Sequence, residues 1–138
     1  MNAYRWSDLD EGLACSFTAE LTAEMMQSFR GISGDTNPLH LDRDFAKEAG
    51  FRDVVGYGML TSALYSKLVG VYLPGRFCVL HGIQVDFSNP AYVGDQLTVK
   101  GEISYLNEAF RRIEVKASIE TSSQVISRAK IKVGLNER

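Results

Sequence analysis

The stretch GYGMLTSALYSKLVGVYLPG, from Gly56 to Gly75, decides the fold of this chain. Within it Leu60, Leu64 and Leu68 recur every four residues, which is the spacing of one helix face, and only one residue is charged. A helix that is apolar over most of its circumference belongs inside a protein. The stretch therefore predicts a central helix, over Met59 to Leu73, around which other elements are wrapped.

The elements that wrap this helix are predicted to be β-strands. Apolar residues alternate with smaller or polar ones in four stretches after the helix, as they do when one face of a strand is buried. These stretches are Phe77 to Phe87, Leu97 to Tyr105, Ile113 to Ile119 and Val125 to Val133, and an opening strand is predicted at residues 13–20. Short polar turns join the last three strands into an antiparallel meander. Residues 1–138 are thus predicted to form one α+β domain, a curved antiparallel sheet wrapped around a central apolar helix.

Two short helices are predicted before the central one. Their capping and ending residues are Thr22 with Gly31 and Gly34 for the first, and Asp42 with Gly50 for the second, which covers residues 43–49. Phe45 and Ala46 are expected to face inward from the second helix. The segment from Asp35 to His40 is therefore predicted to be an interhelical loop.

Composition narrows the class of ligand. The chain has 138 residues, of which 45% are hydrophobic, and its 15 basic residues are scattered within a net charge of −2. This pattern gives no footprint for nucleic acid or for an acidic membrane surface, so a small or acyl-type ligand is expected. Cys15 and Cys78 have no metal-ligand spacing and are expected to be free thiols. No apolar run is long enough to span a membrane, which makes the cytoplasm the expected location.

The loop sequence Gly34-Asp35-Thr36-Asn37-Pro38-Leu39-His40 is the candidate catalytic element. A carboxylate and an imidazole are the usual groups for moving protons near neutral pH, and loops on a rigid scaffold often carry them. The alternative is that Asp35 and Asn37 simply close a turn through their own side chains. Residue spacing alone leaves both interpretations open. His81, the second histidine, is expected to be a core or interface residue.

Three runs of sequence resemble the MaoC-like, R-specific enoyl-coenzyme A hydratases. They are SGDTNPLHLDRDFAKEAGF (Ser33 to Phe51), GYGMLTSAL (Gly56 to Leu64) and FSNPAYVGDQL (Phe87 to Leu97). The resemblance covers nearly the whole chain and implies a hot-dog fold, a homodimer or dimer-based oligomer, and an acyl thioester substrate. It implies addition of water to a trans-2-enoyl thioester, giving an R-3-hydroxyacyl thioester, and the reverse dehydration. No metal or redox cofactor is implied.

The resemblance assigns roles to three residues. Asp35 and His40 occupy the catalytic positions and would hold one water molecule, with Asp35 expected to withdraw a proton and His40 to help deliver one to the α-carbon. Gly58, by the same analogy, would bind the thioester oxygen through its backbone N–H. The alternative for Gly58 is that Gly56 and Gly58 only let the chain turn into the helix.

Two departures from the family concern the substrate. Tyr57 stands where many members have histidine, and Ser62 lies one position before the place where many carry a serine, here Ala63. Asn37, Tyr57, Ser62 and Tyr65 are expected to contact substrate, although Asn37 is equally a turn residue and Tyr65 equally a core aromatic. Within enzymes, a hot-dog thioesterase is the alternative. A catalytically silent subunit that binds acyl-CoA or acyl carrier protein is the alternative outside enzymes.

Overall fold

The computed structural model describes residues 1–138 and contains one five-stranded sheet and three α-helices. The strands are β1 (Ala14–Glu20), β2 (Cys78–Phe87), β3 (Gln96–Asn107), β4 (Arg112–Glu120) and β5 (Val125–Leu135). The helices are α1 (Ala23–Ser33), α2 (Arg43–Glu48) and α3 (Gly58–Lys67). Every strand pair is antiparallel, in the order β1-β3-β4-β5-β2. The predicted α+β fold, with its β3-β4-β5 meander, is confirmed.

The central helix packs against the inner face of the sheet. Tyr65, Leu68 and Val69 are at most 2% exposed and meet strand residues that are equally buried, such as Ile131. A Cβ atom on Gly101 of β3 would lie 2.8 Å from the side chain of Leu68, so glycine at this position allows the helix to approach the sheet. Each fully buried aliphatic side chain contributes about 1.5–3 kcal/mol relative to an exposed one.

The helix predictions hold with three corrections. The last turn of the central helix, Leu68–Tyr72, is π-helical rather than α-helical. Gly31 lies inside α1, which ends only at Gly34, where φ is +71°. Phe45 on α2 is 44% exposed, because the helix is short and only Ala46 turns fully into the core. The N-caps Thr22 and Asp42 are confirmed, since each side chain accepts a hydrogen bond from its own helix.

The sheet leaves one side of the inner layer uncovered. Met59 on α3 is 67% exposed. Phe87 and Ile83 on β2 are 51% and 44% exposed, although they pair with the buried Ser127 and Ile131 of β5. Partners directly opposite in a sheet point to the same face, so these two side chains lie on the inner face. Strand β2 is also an edge of the sheet.

Candidate active site

The Asp35–His40 segment is the loop between α1 and α2, and its own side chains shape it. The Asp35 carboxylate accepts from the Asn37 backbone N–H at 3.0 Å, and the Asn37 side-chain oxygen accepts from the Leu39 N–H at 2.9 Å. Pro38–His40 then forms one 3-10 turn. The loop is exposed from Ser33 to Pro38. Asn37 therefore acts as a turn residue, the role that the sequence left open for it.

His40 is half-buried, and one of its ring nitrogens is already engaged. Nδ1 lies 2.7 Å from the carbonyl oxygen of Val55. A carbonyl oxygen can only accept, so the hydrogen in this bond belongs to Nδ1. His40 must then exchange protons through Nε2, and the Val55 carbonyl fixes the orientation of the ring.

Tyr57 lies directly behind both members of the candidate pair. Its hydroxyl donates to the Asp35 backbone carbonyl at 2.6 Å, and its ring centroid lies 4.1 Å from that of His40. The side chain is 1% exposed. Burial, and then the Asp35 carboxylate, raise the pKa of the Tyr57 phenol above its usual value. The hydroxyl consequently stays protonated and remains a donor across the physiological range.

Gly58 is the first residue of α3, and no protein group accepts a hydrogen bond from its N–H. No side chain caps this end of the helix. A Cβ atom at Gly58 would lie 3.0 Å from the ring of Phe87, so glycine keeps the approach to this N–H open. The Gly58 carbonyl accepts from the hydroxyls of Thr61 and Ser62, at 2.8 and 2.9 Å. The helix end therefore offers a fixed, unpaired donor at its positive pole.

A mostly apolar pocket of about 290 Å³ connects these groups. The residues in its wall that concern the chemistry are His40, Gly58, Thr61, Phe87, Asn89 and Ile126. Asp35 is exposed and does not line the pocket, but Tyr57 joins it to His40. A wider concavity of about 570 Å³ involves charged side chains of β3, β4 and β5 and shares no residue with this loop.

None of the four residues predicted to contact substrate lines this pocket. Asn37 closes the loop and Tyr57 lies behind it, while Tyr65 and Ser62 form hydrogen bonds elsewhere. Tyr65 is 1% exposed, and its hydroxyl forms a 2.8 Å hydrogen bond with Ser127 in the core. Ser62 is 9% exposed and bonds to the Gly58 carbonyl rather than lining the pocket. The structure thus favours core packing for Tyr65 and, for Ser62, a hydrogen bond within the first turn of α3.

The pocket also contains residues that sequence reasoning missed. Thr61, Phe87 and Asn89 line it, and the side-chain amide of Asn89 donates to the Val125 carbonyl at 2.7 Å. Phe87 and Asn89 both fall within the third run that resembles the family, so that run carried an unused signal. Nothing in the sequence singles out Val55, because the group that bonds to His40 is its backbone oxygen, which every residue has.

Metal ligands and membrane-spanning helices concern the remaining predictions. No group of three or more His, Cys, Asp and Glu side chains is placed to hold a metal ion. None of the helices has the length and apolar character needed to cross a membrane. The absence of a cofactor and a cytoplasmic location stay predictions.

The fold and the site together define a class. A curved antiparallel sheet around a central helix is the hot-dog fold, and here a polar loop with Asp and His lies beside the N-terminus of that helix. A family model described as "MaoC like domain" matches residues 8–125. The chain belongs to the MaoC-like dehydratase family.

Named relatives agree with this assignment. The (R)-specific enoyl-CoA hydratase of Aeromonas caviae is 35% identical over 100 residues, which are 72% of this chain and 75% of that protein. The 3-hydroxybutyryl-CoA dehydratase of Methylorubrum extorquens is 30% identical over 121 residues, covering 88% of this chain and 77% of the relative. The solved structure of the (R)-hydratase from A. caviae superposes with a TM-score of 0.87 at 30% identity, over 93% of this chain and 98% of that one.

Proposed function

We propose that this protein catalyses the reversible hydration of trans-2-enoyl thioesters to R-3-hydroxyacyl thioesters. As a member of this family it is an enzyme of the hydro-lyase class, like its named relatives. The observation that carries the proposal is that His40 and Gly58 line one pocket, with Nδ1 of His40 engaged and the Gly58 N–H unpaired. A proton-transfer group and an oxyanion donor thus border the same space.

Asp35 and His40 transfer protons during the reaction and return to their starting protonation states. The oxygen of water bonds to the β-carbon, one water proton passes to the Asp35 carboxylate, and the π electrons move toward the thioester carbonyl. The proton held by Asp35 passes to Nε2 of His40, which delivers a proton from Nε2 to the α-carbon. One C–O bond and one C–H bond replace the π bond, and both residues end as they began. Such acid–base catalysis is worth about 10²–10⁴-fold in rate.

Gly58 would stabilise the charge that develops during this step. Attack at the β-carbon places negative charge on the thioester oxygen, and the unpaired Gly58 N–H at the positive end of α3 is suited to donate a hydrogen bond to that oxygen. A single donor of this kind contributes about 3 kcal/mol to the transition state. The open approach beside Phe87 gives the oxygen access to it.

The first experiment follows the loss of conjugated-enoyl absorbance with crotonyl- and longer trans-2-enoyl-CoA, and with the same acyl groups on acyl carrier protein. Asp35→Asn keeps the turn, because an amide oxygen still accepts from the Asn37 N–H, and it removes the base. The controls are Asp10→Asn and Glu11→Gln, at exposed positions outside the pocket.

The outcomes separate the candidate activities. Absorbance loss that falls at least 100-fold in Asp35→Asn and His40→Ala, and not in the controls, supports the hydratase. Release of free thiol would instead identify a thioesterase. Acyl binding without turnover on either carrier would identify a silent acyl-binding subunit and overturn the proposal.

We also propose that the protein forms a homodimer through the uncovered inner face at β2. Ile83 and Phe87 are apolar, about half-exposed and located on an unpaired sheet edge, while Met59 is exposed on α3. A second copy would cover these side chains and pair the edge strand. Sedimentation analysis should show a dimer, and Ile83→Lys should shift it toward monomer. A monomeric wild-type protein at micromolar concentration would overturn this assignment.

A further inference from the structure

Tyr57 contacts both members of the proposed catalytic pair. Its hydroxyl donates to the Asp35 backbone carbonyl at 2.6 Å, while its ring packs on the His40 ring at a centroid distance of 4.1 Å and an angle of 31°. Asp35 is exposed and His40 is half-buried, whereas Tyr57 is 1% exposed. The exposed end of the site thus rests on a buried side chain.

Tyr57 is itself held from two directions. The ring of Phe29, on α1, lies 4.9 Å from the Tyr57 ring. The Tyr57 carbonyl accepts from the N–H groups of Leu60 and Thr61, so its backbone is part of the first turn of α3. The central helix therefore fixes where the phenol ring points.

Gly58 follows Tyr57 directly in the chain. The side chain of one residue supports the acid–base loop, and the N–H of the next is the proposed oxyanion donor. A single peptide unit then sets the distance between the two parts of the site. The proton-transfer groups and the oxyanion donor must keep a fixed separation, because misplacement by about 1 Å costs up to about 100-fold in rate.

We propose that Tyr57 is a positioning residue, whose hydroxyl holds Asp35 and whose ring holds His40 at a fixed place relative to Gly58. It does not line the pocket, so it acts through the pair and not on the substrate. This role replaces the substrate contact expected from the sequence. Its kinetic consequence rests on the proposed hydratase function, whereas its structural consequence is independent of any substrate.

The test is Tyr57→Phe, which removes the hydroxyl and keeps the ring. The expected result is a fall in kcat of about tenfold with KM unchanged, because the substrate contacts remain while Asp35 is released. Tyr65→Phe is the matched control. It removes an equally buried hydroxyl and its hydrogen bond to Ser127, and neither of these residues lines the pocket or contacts the loop through a hydrogen bond, so kcat should stay unchanged.

A second readout uses no substrate. NMR relaxation of the backbone amides of residues 35–37 should show increased mobility in Tyr57→Phe and not in Tyr65→Phe. Tyr57→His provides a second variant, since a shorter side chain cannot reach the Asp35 carbonyl and should mobilise the same amides. Thermal unfolding of all three variants identifies any general loss of structure.

Each outcome decides the proposal. A lower kcat with unchanged KM and a more mobile loop supports it. An unchanged loop in Tyr57→Phe and Tyr57→His overturns it, as does a change confined to KM or to unfolding temperature. If the wild-type protein has no hydratase activity, the proposed function fails, and the amide mobilities alone decide whether Tyr57 holds the loop.

Discussion

The loop that carries Asp35 and His40 and the sheet behind it are stabilised by opposite means. Residues 33–38 are all exposed, and the loop depends on a few directional bonds such as Asn37 to Leu39 and Tyr57 to Asp35. In β4 and β5, by contrast, Ile113 and Ile131 are completely buried. Directional bonds fix the position of a group but contribute only about 1 kcal/mol each, whereas buried apolar area contributes most of the stability. Substitutions in the loop should therefore mainly lower catalytic activity, whereas substitutions in the core should mainly lower stability.

His40→Ala should show the largest difference between loss of catalysis and loss of stability. We expect kcat/KM to fall by about 10²–10⁴-fold, because the proton exchange at Nε2 is lost. The free energy of unfolding should fall by only about 1 kcal/mol, since one bond to the Val55 carbonyl disappears. Kinetics with enoyl thioesters measure kcat/KM, and urea unfolding measures the free energy of unfolding. A loss of several kcal/mol would show that the loop contributes to global stability, and it would contradict the view that only the core does so.

Ile131→Ala tests the opposite case. Ile131 is 0% exposed at the centre of β5, so we expect its truncation to leave a cavity and lower the free energy of unfolding by about 2–5 kcal/mol. Well below the unfolding transition, kcat should stay within about twofold of wild type. Ile131→Val, which removes one methylene, should cost only about 0.5–1.5 kcal/mol. A catalytic defect in a folded Ile131→Ala protein would mean that core packing reaches the pocket.

Asn37→Ala should produce a smaller effect within the loop. Its side-chain oxygen would no longer accept from the Leu39 N–H, so the 3-10 turn that ends at His40 loses one constraint. We expect kcat to fall by about tenfold. Asn37→Asp keeps an acceptor at the same place and should recover most of the activity. Equal losses in the two variants would contradict a turn role for Asn37 and indicate contact with substrate.

The smallest expected effect is a pH dependence of the unfolding free energy, caused by the Cys78 thiol in the sheet. Burial raises the pKa of the Cys78 thiol from 9.0 to about 11. The unfolded chain loses this proton first, so the associated stability is complete below pH 9 and disappears as the pH rises toward 11. Because the thiol is partly exposed, we expect a loss of about 1 kcal/mol or less. Urea unfolding of wild type and Cys78→Ala across this range should show the difference, and parallel curves would rule it out.

Much of the fold could be predicted because periodicity is local. The leucine spacing of α3 and the alternation in β3 to β5 follow directly from which face is buried. The pairing of β2 with β5 is not local, and neither is the uncovered face that results from it. The alternation of residues within one strand does not predict which strand will pair with it.

The site divides in the same way. Asp35, His40 and Gly58 could be selected because they lie in short motifs of distinctive spacing. The Tyr57 hydroxyl bond to Asp35 and the Val55 carbonyl bond to His40 join residues 22 and 15 positions apart, so they depend on tertiary geometry. For Tyr65 the sequence left substrate contact and core packing open, and tertiary packing directs its hydroxyl to Ser127.

Phe87 belongs both to the pocket wall and to the uncovered edge at β2. In the proposed dimer a second copy would bury the same ring that borders the pocket, so association and turnover would depend on one side chain. The specific activity of that dimer would then rise with protein concentration as the subunits associate, and a dilution series of specific activity would report the dissociation constant of the dimer.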